Sequence, residues 1–333
     1  MAEIGLTVAC GEYDRTRPIL DRRVGVDGCR VIPIAIEPED SFPRAVTRAE
    51  FDVSELSVSS YLLQHSRGDS PYIAIPAFLS RFFRHDCYYV RADGGIRHPK
   101  DLEGKLVGVP EYQMTLALWG RGILQDEYGV DFRKLRYRTG GTNKPGRKER
   151  LPLRLPPHMD VKPIPADRSL NDLLLAGEID AIMSPGPPQA FVDGDPRVRG
   201  LIDDPPAAER AYYERTGIFP ILHMVGIRKE LVAEHPWLPE RVFAAFVEAK
   251  RIAMAEIRAL AAAGANKVTL PWLAAEVART RAIMGDDYWR YGVAANRREL
   301  EAMCRYSEEQ YLSERRLTVE ELFAESTLEM MGA

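Results

Sequence analysis

The sequence has few cysteines, a nearly balanced charge and no long apolar run, and each shortage excludes a class of protein. Its four cysteines lie far apart and form no C-x-x-C pair, which argues against a zinc knuckle and a dense disulfide framework. The 45 Lys and Arg against 49 Asp and Glu give a formal charge of -4, which does not suit a nucleic-acid binder. No apolar run approaches the roughly 20 residues that span a bilayer. We therefore expect a protein that binds neither nucleic acid nor membrane.

The N-terminal residues alternate in the manner of a strand, with Ile4, Leu6 and Val8 apolar. They show neither a basic segment nor an apolar segment ahead of a small-residue cleavage site, so we predict a cytoplasmic protein with reduced thiols. The 333 residues, 45% of them hydrophobic, can bury a sizeable core in two domains or one large one.

Polar residues follow three strand-like segments, at residues 4–9, 51–57 and 107–109. After each of them comes a segment with the hydrophobic periodicity of a helix. Open α/β sheets bind ligands at such strand ends. The junction residues are Tyr13, Asp14 and Arg15 at the first, Glu55 and Ser57 at the second, and Glu111, Tyr112, Gln113 and Thr115 at the third.

The strand-helix alternation restarts after the flexible Asp93-Gly94-Gly95 joint, and a strand returns at residues 217–227. This predicts an α/β fold of two lobes, each a mixed sheet flanked by helices, with a ligand cleft between them. Residues 1–93 and 218–333 would form the first lobe and residues 94–217 an inserted second one. We interpret the basic segment 139–168 as a solvated lid or a subunit contact, and we expect a homo-oligomer.

Six motifs are distributed over nearly the whole chain, at residues 9–16 (ACGEYDRT), 51–57 (FDVSELS), 80–85 (SRFFRH), 107–115 (VGVPEYQMT), 215–221 (RTGIFPI) and 284–289 (MGDDYW). These motifs resemble the 4,5-dihydroxyphthalate decarboxylase family, and the two-lobed organisation resembles the type 2 periplasmic-binding fold. The resemblance implies a cytoplasmic enzyme of phthalate breakdown, without an organic cofactor, that converts 4,5-dihydroxyphthalate to 3,4-dihydroxybenzoate and CO2. The alternative is a non-catalytic solute-binding protein of the same fold for a small aromatic or dicarboxylate anion.

Decarboxylation of an electron-rich ring needs a proton on the carbon that bears the leaving carboxylate, helped by the para hydroxyl. We predict His85 as the proton donor, because an imidazole with a pKa of about 6.5 can give and recover a proton near neutrality. His223 is the second choice, and a buried structural histidine is the alternative for His85. Glu55 and Glu111 are predicted to accept the phenolic proton or to orient the histidine, and the alternative for either is to cap a neighbouring helix.

The carboxylate that stays on the ring needs a guanidinium, and Arg81 is the best candidate, followed by Arg15. Arg121 lies inside a predicted helix, where we favour surface capping or pairing. Tyr13 and Tyr112 suit stacking on the ring or hydrogen bonds to its hydroxyls, and Asp14 suits pairing with an arginine. The remaining predicted substrate-binding residues are Ser57, Gln113 and Thr115.

Metal and hydrolase chemistry are the remaining alternatives. His85, His223, Glu55 and Glu111 are metal-ligand types, but no H-x-H or H-x-x-x-H spacing supports a site, so we expect no metal. No G-x-S-x-G elbow is present, which argues against a serine nucleophile at Ser57 or its neighbours.

Overall fold

The computed structural model describes residues 3–265 and 267–332 and contains two mixed β-sheets flanked by helices. The strands are β1 (Ile4–Cys10), β2 (Cys29–Ala35), β3 (Val53–Ser57), β4 (Tyr72–Arg81), β5 (Tyr88–Arg91), β6 (Leu106–Val109), β7 (Arg136–Thr139), β8 (Val161–Pro163), β9 (Ala181–Met183), β10 (Val198–Gly200) and β11 (Ile221–Arg228). The helices are α1 (Arg17–Leu20), α2 (Pro38–Arg48), α3 (Val58–Arg67), α4 (Thr115–Tyr128), α5 (Leu170–Ala176), α6 (Gln189–Val192), α7 (Pro205–Thr216), α8 (Lys229–Glu234), α9 (Leu238–Ala261), α10 (Leu273–Met284) and α11 (Arg297–Glu309).

The first sheet has the strand order β2-β1-β3-β11-β4. Strand β1 pairs in parallel with β2 and β3, whereas β11 runs antiparallel between β3 and β4. The carboxyl ends of β1 to β4 therefore meet at one edge of the sheet, and β11 begins at that same edge. Ligands of open α/β sheets bind at this kind of edge.

The second sheet has the strand order β10-β5-β9-β6-β7-β8. Strand β5 pairs antiparallel with β9 and β10, so it belongs by strand pairing with this sheet. The predicted boundary at residue 94 is therefore wrong for residues 88–91, because the chain changes sheets before β5 and not at the glycine joint. The chain returns through α7 to β11 in the first sheet.

Helix α9 shows why the flanking segments are helical. Its buried side chains Val242, Phe246, Ala249 and Ala253 recur at intervals of three and four residues, which places them on one face. Full burial of a side chain such as Phe246 contributes about 1.5–3 kcal/mol. Within residues 3–265 and 267–332, no helix combines the length and the apolar composition needed to cross a membrane.

The basic segment between β7 and β8, residues 140–160, is here called the strap. It leaves the second sheet and contacts helices of the first: Leu151 packs in a small apolar cluster with Val46 of α2 and Leu63 of α3. Arg67 of α3 donates a hydrogen bond of 3.0 Å to the carbonyl oxygen of Pro152. The strap therefore adds a contact between the two lobes, apart from the two segments in which the chain passes from one sheet to the other.

Candidate functional site

A cavity of about 230 Å³ lies at the carboxyl edge of the first sheet. Its lining residues are Pro38, Glu39, Phe42, Ser57, Ser80, Arg84, Met114, Thr115, Leu116, Arg150, Pro185, Leu222 and His223. They come from the first sheet and α2, from the start of α4 and the segment after β9, and from the strap, so the cavity lies between the lobes as predicted. A cavity of about 220 Å³ between α7 and α10 is lined by residues such as Phe83 and Met284 and includes no predicted site residue.

Strand register brings the polar residues of the first sheet together. His223 of β11 lies opposite Ser57 of β3 on one side and opposite Ser80 of β4 on the other. Side chains alternate along a strand, so Glu55, two residues before Ser57, faces the same way. Three strands thus present polar side chains on one face, next to the cavity.

Glu55 is completely buried and accepts three hydrogen bonds. The backbone N–H of Gly11 donates to Oε2 at 2.8 Å, and the Tyr13 hydroxyl donates to Oε1 at 3.0 Å. His223 places Nδ1 2.7 Å from Oε1. Because an ionised carboxylate only accepts hydrogen bonds, Nδ1 is assigned the proton and Nε2 is left for the cavity.

The electrostatics of this group favour an ionised Glu55. Burial raises the pKa of Glu55, but the hydrogen bond and charge of His223, with the bonds from Gly11 and Tyr13, outweigh it and hold the pKa below its usual value. Burial, followed by the charge of Glu55, raises the pKa of Tyr13, so the phenol keeps its proton and donates. A carboxylate behind an imidazole suits proton transfer at the imidazole.

Arg84 is a buried cation beside the cavity that the sequence reasoning missed. It is 7% exposed, and its Nε has no hydrogen-bond partner in the described chain. Burial lowers the pKa of Arg84. The charges of Asp86 and Glu209 oppose this shift and raise the pKa, but neither carboxylate forms a hydrogen bond with the guanidinium. A buried guanidinium with a free donor is suited to bind a carboxylate. The sequence feature that could have identified Arg84 is its position in the SRFFRH motif, three residues after Arg81, the arginine predicted to bind the carboxylate.

Ser57 and Thr115, two of the predicted substrate-binding residues, line the cavity. Their hydroxyl oxygens lie 2.9 Å apart, and the backbone N–H of Ser59 donates to Thr115 Oγ1 at 3.1 Å. These contacts join the end of β3 to the start of α4 and therefore link the two lobes at the cavity. Ser59 and Ser60 are themselves buried.

The structure does not place His85 at the cavity. His85 is 1% exposed, its ring centroid lies 5.2 Å from that of Tyr212 in α7, and its Nδ1 has no partner among the described residues. Burial, with the charge of Arg215, lowers the pKa of His85 to about 4, so it is neutral at pH 7. Residues 82–87 connect the two sheets, and His85 turns inward against α7. The structure thus brings the second choice, His223, to the cavity.

Arg81 is likewise structural. Its guanidinium donates to the carbonyl oxygens of Phe219 at 2.9 Å and Arg290 at 2.8 Å, and to the side-chain oxygen of Asn296. Burial lowers the pKa of Arg81 to about 10, which still leaves it charged at pH 7. Side-chain alternation explains the error: Ser80 faces the cavity, so its neighbour Arg81 faces away.

Asp14 and Arg15 lie at a separate cavity of about 140 Å³ that Lys250 also lines. The Arg15 guanidinium lies between two aromatic rings, 4.5 Å from the Tyr13 centroid and 4.0 Å from that of Trp289. Its Nε donates to the Leu79 carbonyl oxygen, and its Nη1 is 3.0 Å from Asp14. The pairing predicted for Asp14 is therefore present, with Arg15. Neither residue lines the cavity that His223 lines, so their predicted substrate contacts are not supported.

Glu111 is held by the strap and is 2% exposed. Arg147 Nη2 lies 2.6 Å and Arg150 Nη2 3.3 Å from Glu111 Oε1, and both guanidinium groups also approach Glu39 of α2, at 2.7 and 3.6 Å. Glu111 therefore secures the strap, and its predicted role in catalysis is not supported.

Tyr112 and Gln113 are fully buried outside the cavity lining. Tyr112 packs under the guanidinium of Arg121, 3.8 Å from its ring centroid, and Gln113 donates to Glu111 at 3.2 Å. Arg121 is also fully buried, where it donates to Gln310, so the surface pairing expected of it is wrong. Of this strand-to-helix junction, Thr115 alone among the predicted residues reaches the cavity lining.

The four residues considered as metal ligands do not converge. Glu55 and His223 are in contact, whereas Glu111 pairs with the strap and His85 packs against α7. In the part of the chain that the structure describes, no three His, Cys, Asp or Glu side chains are grouped to hold a metal ion. The expectation of a protein without metal or cofactor stays a prediction.

No protein-family model matches the sequence. A Comamonas testosteroni protein named 4,5-dihydroxyphthalate decarboxylase is 42% identical over 329 residues, which cover 99% of each chain. The chain belongs to the 4,5-dihydroxyphthalate decarboxylase family. A second protein of that name, from Pseudomonas putida, is 40% identical over 213 residues, which cover 64% of this chain and 83% of its own.

Solved structures confirm the predicted fold of this decarboxylase-family chain. The periplasmic aliphatic sulphonate-binding protein SsuA from Escherichia coli matches with a TM-score of 0.53 over 99% of this chain and 100% of that chain, at 11% identity. The periplasmic sulfonate-binding protein SsuA from Methylobacillus flagellatus KT matches with a TM-score of 0.54 over 97% and 92%, at 12% identity. At such low identity the likeness establishes the periplasmic-binding-protein-like fold alone.

Proposed function

We propose that this chain removes one carboxylate from 4,5-dihydroxyphthalate and releases 3,4-dihydroxybenzoate and CO2. The observation that carries the proposal is the His223–Glu55 pair beside a cavity with a buried, unsatisfied guanidinium. A flat dianion that must receive a proton on its ring matches a cavity with an imidazole, a cation and an apolar wall. Membership of the decarboxylase family supports the same reaction.

Arg84 would hold the carboxylate that stays on the ring. Hydrogen bonds to charged groups contribute about 1.5–3 kcal/mol each, and binding would also relieve the unsatisfied Nε of this buried cation. Ser80 lines the cavity four residues before Arg84 and offers a hydroxyl to the same ligand. Binding of this carboxylate to Arg84 would therefore fix which edge of the ring lies near Arg84.

His223 would deliver a proton from Nε2 to the ring carbon that bears the leaving carboxylate. Glu55 holds the opposite nitrogen and stabilises the imidazolium that precedes transfer, and Tyr13 holds Glu55. The bond between the ring and the carboxylate then breaks, its electron pair restores the aromatic ring, and CO2 leaves. The delivered proton remains as the new ring hydrogen, and His223 takes another from water.

Apolar side chains complete the site. Phe42 contacts His223 edge-to-face, with ring centroids 4.8 Å apart, and Leu116 and Leu222 also line the cavity. An apolar surround disfavours a carboxylate relative to neutral CO2, because burying a charge without a partner is costly. A leaving group placed against this wall would therefore gain from losing its charge.

The direct test is to incubate the purified protein with 4,5-dihydroxyphthalate and to measure CO2 and 3,4-dihydroxybenzoate. We expect equal amounts of the two products, and no CO2 from phthalate, which lacks the activating hydroxyls. Tight binding of the substrate without release of CO2 would contradict the proposal and would favour the solute-binding alternative.

We also propose that the protein is a cytoplasmic homo-oligomer that works without metal or organic cofactor. The four cysteines, all within the described residues, form no disulfide, which suits a reducing compartment. Leu270 and Trp272 are 54% and 77% exposed, and neighbouring exposed apolar side chains suit a subunit contact. Sedimentation analysis and elemental analysis of the active protein test these expectations; a monomer or a stoichiometric metal would contradict them.

A further inference from the structure

Glu39 is a carboxylate beside the cavity to which the reaction described above gives no role. It is the one acidic side chain among the lining residues of the described chain and lies at the second position of α2. Its side chain is 57% exposed, and Arg147 holds its Oε2 at 2.7 Å. Glu55 and Glu111, the acids considered from the sequence, are fully buried and bonded to His223 and to the strap.

Strand order places Glu39 and Arg84 at opposite edges of the first sheet. Glu39 follows β2, the first strand in the order β2-β1-β3-β11-β4, whereas Arg84 follows β4, the last. His223 belongs to β11, between those two edges. Because all three residues line one cavity, Glu39 and Arg84 approach it from opposite edges of the sheet with the imidazole between them.

The proposed substrate has a matching polarity. Its two carboxylates are neighbours on one edge of the ring, and its two hydroxyls are neighbours on the opposite edge, one of them para to the leaving carboxylate. If Arg84 holds the carboxylate edge, the hydroxyl edge points toward Glu39. We propose that Glu39 accepts the proton of the hydroxyl para to the leaving carboxylate, an inference that rests on the proposed function.

Proton and electron balance supports this division of work. Glu39 takes the hydroxyl proton as His223 adds a proton to the ring carbon, so the oxygen becomes a carbonyl and the ring loses its aromaticity. When CO2 leaves, the electrons of the broken bond restore the aromatic ring, and the oxygen recovers its proton from Glu39. The net consumption is the single proton that His223 delivers.

The strap positions the carboxylate that this role requires. Arg147 Nη2 lies 2.7 Å from Glu39 Oε2 and holds the side chain at the cavity. Arg150 lines the cavity with its guanidinium 5.2 Å from the Phe42 ring centroid and only loosely paired with Glu39, at 3.6 Å. Arg150 can therefore donate to the substrate oxygen as its negative charge grows.

The test compares Glu39→Gln with Glu37→Gln. Glu37 is an exposed acid two residues away that makes no side-chain cap hydrogen bond, so the pair is matched in chemistry and location. We expect Glu39→Gln to lower kcat for 4,5-dihydroxyphthalate by about 100-fold or more, the range for a lost general base, and Glu37→Gln to leave it unchanged. Glu39→Asp, which keeps a carboxylate, should recover part of the loss.

Binding of phthalate separates a chemical role from a folding defect. Phthalate has the carboxylates but no hydroxyl, so wild type and Glu39→Gln should bind it with Kd values within about two-fold of each other by calorimetry. Equal kcat values for the two Gln variants, or equal loss of phthalate binding and turnover in Glu39→Gln, would overturn the role of Glu39. Inactive wild-type protein would instead overturn the proposed function, and this inference with it.

Discussion

Replacing Glu55 with Gln perturbs the proposed proton donor while nearly preserving the shape of the side chain. Glu55 accepts hydrogen bonds from Gly11, Tyr13 and His223. In the variant one oxygen becomes an NH2 group, which cannot accept, so at least one of these donors loses its partner. The charge that stabilises an imidazolium at His223 also disappears.

The size of the effect follows from the hydrogen bond between His223 and the Glu55 carboxylate. A hydrogen bond to a charged group contributes about 1.5–3 kcal/mol, and each 1.36 kcal/mol is tenfold, so kcat should fall by about 10-fold to 150-fold. Tyr13→Phe removes one of the three donors and leaves the carboxylate charged, so its kcat should fall by only about 3-fold to 10-fold.

The assay is the rate of 3,4-dihydroxybenzoate formation at saturating substrate, with the Tm and the Kd for phthalate measured on each variant. Phthalate binding should change little, because Arg84 and not Glu55 holds the anion. A folded Glu55→Gln variant that keeps kcat within about two-fold of wild type would refute the dependence of His223 on this carboxylate.

Two further predictions concern stability. Arg84→Gln should raise KM by about 10-fold to 100-fold without lowering the Tm, because it removes an unsatisfied buried charge. Arg81→Gln should instead lower the free energy of unfolding by about 3 kcal/mol, because it breaks a buried hydrogen-bond network. The reverse pattern in kinetics and thermal melts would contradict both assignments. Burial, with the charge of Glu111, raises the pKa of Glu149 to about 7. The stability that its bound proton contributes is present below about pH 4.5 and lost as the pH rises through about 7, so Glu149→Gln should gain up to about 3 kcal/mol over wild type between pH 5 and 8. Urea melts of the two proteins that shift in parallel over this range would contradict the prediction.

The sequence predicted much of the fold because strand-helix alternation is local. The polar junctions after residues 9, 57 and 109 all lie where strands end. Five predicted residues, Tyr13, Glu55, Ser57, Thr115 and His223, lie at or directly behind the cavity. The boundary at residue 94 was wrong because pairing of β5 with β9 is a long-range contact that a glycine joint does not reveal.

Side-chain direction accounts for the errors within the site. Arg81, Arg84 and His85 belong to one short motif, but one residue on a strand faces away from its neighbour, and the following turn buries His85. The motif indicated that an arginine would matter and left open which one. Glu39 and Arg150 were missed because they meet only when the strap crosses from the second sheet to α2.

The central claim is that an imidazole on β11 gives its proton to the ring carbon of a dicarboxylate. The most direct measurement is CO2 release from 4,5-dihydroxyphthalate by wild type, His223→Asn and His85→Asn, each shown by calorimetry to bind phthalate. We expect His223→Asn to lose about 100-fold or more in kcat and His85→Asn to stay close to wild type. Full activity in His223→Asn, or loss of turnover in a folded His85→Asn, would contradict the account.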